Sequence, residues 1–198
     1  MLDDETRVLA RLSAVITAGT ELQTRDELAR AVGRVPVPWV EELLLQTYLF
    51  AGFPRALNAT REWRRVQPEP VVGEVPGTIE QNRANGEVTC AAVYGELYER
   101  LRRNIRSLHP LLDEWMIVEG YGKVLSRSGL DLGRRELCVL AACAAAGQDR
   151  QLHSHLLGAL NVGVDASVVD GVIEEISDFL GPDRAHSVRL LWARVRGK

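Results

Sequence analysis

Residues 133–181 read GRRELCVLAACAAAGQDRQLHSHLLGALNVGVDASVVDGVIEEISDFLG. Leu137, Leu140, Ala141 and Ala144 recur at three- and four-residue spacing. After the Gly147-Gln148-Asp149 break, Leu152, Leu156, Ala159 and Leu160 do the same, which predicts two packed helices. A third starts after Asn161-Val162-Gly163 with Asp165 or Ser167 as N-cap. It carries Val168, Val169, Val172, Ile173 and Ile176 and stops at Gly181-Pro182.

A weaker copy of this pattern stands near the N-terminus. Residues 4–18 predict a helix with Val8, Leu9, Leu12, Val15 and Ile16 on one face. A shorter helix follows around 25–32, and Pro38 or Trp39 opens a third, VEELLLQTYLFAG, apolar nearly all round and so expected to be buried. Leu12 and Gly19 align with Leu140 and Gly147 at an offset of 128, as do Leu28 and Ala31 with Leu156 and Ala159. Phe50 and Gly52 align with Phe179 and Gly181 at 129. The offset predicts tandem copies of a three-helix unit. The copies are unequal, because Glu27 stands at the place of His155 and Val8 at that of Glu136.

Between them, 64–85 is rich in Pro and Gly, lacks helical periodicity and reads as a loop. Residues 91–107 and 110–125 read as two more helices. The expected organisation is an N-terminal degenerate repeat over 1–66, a linker over 67–90 and a C-terminal repeat over 91–198.

The chain of 198 residues, 46% hydrophobic and 26% charged, has the composition of a globular protein. A formal charge of −3 gives no basic excess for nucleic acid or an anionic membrane surface. No run is apolar enough to span a bilayer, and the acidic opening MLDDETRV is unlike a signal peptide; the expectation is a cytoplasmic protein without nucleic-acid or membrane partners. Cys90, Cys138 and Cys143 lack metal-type spacing, and on one helix Cys138 and Cys143 diverge too far to pair, so both read as small core residues.

The runs YGKVLSRSGLD at 121–131, REL at 135–137 and HLLGALNVG at 155–163, together with ELLLQTYLFAGFPRA at 42–56, closely resemble the carboxymuconolactone decarboxylase family. The resemblance implies an all-α, duplicated alkylhydroperoxidase D-like helical bundle that self-associates, as a homotrimer of pseudo-hexameric form. In the alkylhydroperoxidase branch of that superfamily a Cys-x-x-Cys pair works with a Glu and a His. Glu136 and His155 match the latter two, but Gln148 and Gln151 occupy the thiol positions. In the decarboxylase branch a cofactor-free enzyme transfers a proton on a small acidic lactone. The sequence departs from that branch at Gln151, where Glu is usual, and over 180–184.

The resemblance therefore implies His155 as general acid/base and Glu136 as its orienting partner, with Arg127 or Arg135 holding a substrate carboxylate and Gln151 as a polar contact. Trp115 and Tyr121 fall on apolar helical faces, read first as core and second as pocket lining. His153, two residues from His155, points elsewhere, and Gly52-Phe53-Pro54 reads as a helix stop with an apolar plug. The expected function is cofactor-free and metal-free proton transfer or decarboxylation on a small carboxylated or lactone-like metabolite. An alkylhydroperoxidase-type activity and a non-catalytic scaffold are the alternatives.

Overall fold

The computed structural model describes residues 1–71, 73–75 and 77–197, and among these residues every regular element is helical. Helix α1 (Asp4–Ala18) starts where Asp3 accepts from the Thr6 amide at 2.7 Å. Helix α2 (Glu21–Ala31) starts earlier than apolar periodicity suggests, because Thr20 and Gln23 form a reciprocal capping box. Helix α3 (Val37–Trp63) is broken at Gly52, with φ 81° and ψ 160°, and resumes at once through Pro54. Phe53 is no plug. It lies 62% exposed and stacks on Tyr48 with ring centroids 4.8 Å apart.

Beyond Trp63 the structure departs from the expected loop. A second capping box, Thr78 with Gln81, opens helix α4 (Ile79–Tyr94), so much of the span 67–90 is helix. The helix expected over 91–107 is divided by Gly95, after which α5 (Tyr98–Leu108) runs in a new direction. Helix α6 (Pro110–Trp115) widens into a π-helical segment, Met116–Leu125. Here α4 and the π-helical turn touch backbone to backbone: a β-carbon on Gly122 would stand 1.8 Å from the Asn82 carbonyl oxygen. Only glycine fits that crossing.

The last four helices are α7 (Leu132–Ala146), α8 (Asp149–Asn161), α9 (Ala166–Leu180) and α10 (Pro182–Arg196). Asp131 caps α7 by accepting from the Arg134 amide, and Gly147 ends it in the left-handed region. Gly181, with φ 76° and ψ 165°, repeats the backbone of Gly52, and a helix follows each break. Helices α1 and α7 have the same length, 15 residues, and they pack against each other, with Ser13 Oγ donating to the Cys138 carbonyl at 2.7 Å.

Three apolar clusters fill the interior. One joins α7 to α10 with Leu140, Leu156, Ile176 and Trp192; a second joins α1 to α3 with Leu12, Leu43 and Trp63; the third lies under α4 with Cys90, Ile117 and Tyr121. Cys138 belongs to the second cluster and Cys143 to the first, which places the two thiols on opposite sides of α7.

Candidate functional site

Glu136 sits in the first turns of α7 and His155 in the middle of α8. Where these helices pack, Glu136 Oε2 and His155 Nδ1 are 2.8 Å apart. Glu136 is fully buried and His155 is 5% exposed. The imidazole and the Phe50 ring stand perpendicular, edge to face, at a centroid separation of 5.8 Å. The second carboxylate oxygen, Glu136 Oε1, is buried without a hydrogen-bond partner, in an interior where such atoms are normally paired. With the Glu136 carboxylate as acceptor, Nδ1–H is the donor of this bond, and Nε2 is the ring nitrogen left for other partners.

The other site residues suggested by sequence fall elsewhere. Arg127 and Arg135 converge on Glu42 of α3: Arg127 Nη2 donates to Oε1 at 2.8 Å and Arg135 Nη2 to Oε2 at 2.8 Å. Arg135 is completely buried. Its remaining donors go to the carbonyls of Leu130 and Arg127 and to Gln46 Oε1. Burial works against the Glu42 charge, but hydrogen bonds from Arg127 and Arg135 outweigh it and hold its carboxyl below the ordinary range. Burial likewise lowers Arg135, which Glu42 partly offsets. Both guanidinium groups thus serve as ion-pair partners of Glu42, Arg135 tying α3 to α7 and Arg127 tying α3 to the turn before α7, and neither is bonded to His155.

Trp115 is 56% exposed at the end of α6, outside the core that its apolar face suggested. Tyr121 is buried edge-on against Tyr94 at 6.1 Å, and burial raises both hydroxyls, Tyr94 to about 12. Gln151 is exposed one turn before His155. His153 is half-buried and lines a cleft between α8 and α5, a position that spacing alone did not reveal.

Cys143 is buried beside Gln148, Sγ to Oε1 at 3.9 Å, and desolvation pushes its thiol up to about 12; Cys138 and Cys90 are raised to the same level by burial. Such thiols carry almost no thiolate near neutrality. Among the described residues no group of three His, Cys, Asp or Glu side chains is placed to hold a metal ion, and no helix is long and apolar enough to cross a membrane.

The segment holding both dyad residues decides the resemblance. Residues 114–193 match the carboxymuconolactone decarboxylase family. The match runs from the end of α6 through most of α10, and the all-α architecture is that of an alkylhydroperoxidase D-like bundle. The chain is also similar to Peroxisomal protein 2 of Schizosaccharomyces pombe, 29% identical over 141 residues, and to Peroxisomal protein 2 of Saccharomyces cerevisiae, 24% identical over 160. These alignments take in 69% and 66% of this chain, but only 66% and 56% of the relatives' own lengths.

Proposed function

We propose that the chain is a carboxymuconolactone decarboxylase-like protein that transfers a proton on a small carboxylated or lactone-like metabolite without a cofactor. The observation that carries this reading is the buried Glu136–His155 pair at 2.8 Å. Glu136 fixes the imidazole, and Nε2 takes a proton from a carbon next to a carbonyl and returns it after bond cleavage or rearrangement. Each proton removed is carried on His155 as imidazolium, whose charge Glu136 balances. Turnover of 4-carboxymuconolactone, followed by ultraviolet absorbance for the wild type beside His155→Ala, tests this; loss of turnover in the variant is expected.

A specific observation favours a second reading, a non-catalytic scaffold. His155 lines none of five surface clefts of about 260 to 570 Å³. On the catalytic reading a neighbouring subunit or a local opening must give substrate its path. Alkylhydroperoxidase activity is disfavoured by glutamines at 148 and 151 and by the raised, buried thiols.

The proposal includes a tandem origin, supported by the 15-residue α1 and α7 and by the matched breaks at Gly52 and Gly181. It also includes self-association as a homotrimer. Helix α5 buries none of its residues, and Leu108, Leu111, Leu112 and Trp115 stand exposed along α5 and α6, an apolar run unusual on a lone chain. The proposed location is the cytoplasm. The names of the two relatives put those proteins in peroxisomes, so cell fractionation that finds this chain in an organelle pellet overturns the assignment.

A further inference from the structure

We propose that the cleft between α5 and α8 is a binding site for a small carboxylate with an apolar body. The cleft encloses about 560 Å³, within the range of small-molecule sites. Leu97, Leu101 and Leu157 supply an apolar wall; Arg100, Arg150 and His153 supply the polar one.

Its charge sets it apart. Four further clefts among the described residues each carry a carboxylate: Glu74, Glu21, Glu87 with Glu99, and Glu27 with Glu175. The α5–α8 cleft has none among its lining residues. Most arginines of the chain are paired with acids, as Arg11, Arg102 and Arg184 illustrate. Among the described residues, Arg100 and Arg150 have no side-chain ion pair or hydrogen bond, and the bond to Arg150 is to its backbone carbonyl, from Ser154 Oγ at 3.2 Å. Two unneutralised guanidinium groups on one concavity leave a positive field that a carboxylate satisfies, with fork geometry suited to its two oxygens.

Arg150 also stands where helix energetics do not favour it. It is the second residue of α8, at the positive end of the helix dipole, where a cation is unfavourable. The neighbouring acid, Asp149, pairs instead with Arg184 at 2.6 Å. The cleft shares a wall with the dyad, because Val93 lines it and packs against Gly158, beside Glu136. The inference concerns binding alone and does not require His155 to be catalytic.

Calorimetric titration with benzoate, and with benzamide as its uncharged counterpart, tests the site on the intact chain. Benzoate is expected to bind with a dissociation constant below about 10 mM and benzamide about tenfold more weakly or worse. The exposed double substitution Arg100→Gln with Arg150→Gln is expected to weaken benzoate about tenfold or more while leaving the helical circular dichroism unchanged. Raising the ionic strength is expected to weaken benzoate but not benzamide. Equal binding of the two compounds, benzoate binding that survives the double substitution, or no benzoate binding in this range overturns the proposal. Since no turnover is read, failure of the acid/base reading of His155 leaves these outcomes unaffected.

Discussion

Gly158 of α8 vacates the space that the Glu136 carboxylate of α7 occupies: a β-carbon at 158 would stand 2.6 Å from Glu136 Oε2 and 2.7 Å from Val93 Cγ1. A glycine inside a helix costs about 0.5–1 kcal/mol relative to alanine. Here it lets the acid reach His155 across the helix pair. Gly158→Ala is expected to lower stability by about 1–3 kcal/mol through overpacking and to displace the carboxylate from the imidazole. Urea unfolding of the variant checks the first part; a midpoint at or above the wild-type value would show that the pocket yields freely.

Within the dyad, His155→Ala is expected to lower any proton-transfer rate by about 100- to 10,000-fold, the usual contribution of a positioned acid/base group. Glu136→Gln keeps a hydrogen-bonding side chain of the same size but removes the negative charge. Its rate is expected to fall between the wild type and His155→Ala. A Glu136→Gln enzyme as fast as the wild type would leave the carboxylate with no part in the chemistry.

The Glu42 cluster makes a pH-dependent prediction. The folded carboxyl is held low by Arg127 and Arg135 despite its burial, whereas an unfolded glutamate titrates near 4.3, about the model-peptide value. On acidification the unfolded chain therefore binds the proton first. The stabilisation is complete above the unfolded value and is lost as pH falls through the lower folded one. Glu42→Gln is expected to cost about 3–5 kcal/mol at neutral pH, as two arginines lose their counter-charge, and to flatten the acid limb of stability against pH. Denaturation curves collected from pH 3 to 7 would contradict this if both proteins lost stability in parallel.

The three thiols, each buried and raised to about 12, are expected to react with a disulfide reagent at pH 8 only as fast as the protein opens. Hydrogen peroxide should be consumed no faster with the protein than without it. Rapid labelling of Cys143 in the native state, coupled to peroxide loss, would restore the thiol-based reading.

Helices α1, α7, α8 and α9 were legible because their apolar residues keep a helical period and Gly147 ends α7. Helix α10 was not, because Gly181-Pro182 reads as a stop, whereas Pro182 is the first residue of the next helix, and the Asp165 expected to cap α9 makes no side-chain cap bond. Helix α4 was hidden because its apolar positions are few. Its buried residues are Asn82, Gly86, Cys90 and Val93, chosen for a close backbone crossing rather than for hydrophobicity, and the signal present was the Thr78–Gln81 capping box. The Glu136–His155 contact followed from the resemblance. The fate of Arg127 and Arg135 did not, because Glu42 lies 85 and 93 residues away and nothing local marks it as their partner. The α5–α8 cleft was equally silent, since its charge is defined by which arginines lack acids in three dimensions.

The central claim is that His155, held by Glu136, moves a proton at carbon. The most direct test is deuterium incorporation from heavy water into 4-carboxymuconolactone and its product, followed by proton nuclear magnetic resonance for the wild type and His155→Ala. The account predicts incorporation catalysed by the wild type and abolished in the variant. Incorporation at equal rates with both proteins, or none beyond the uncatalysed rate with the wild type, would contradict it and leave the buried pair as a strut between α7 and α8.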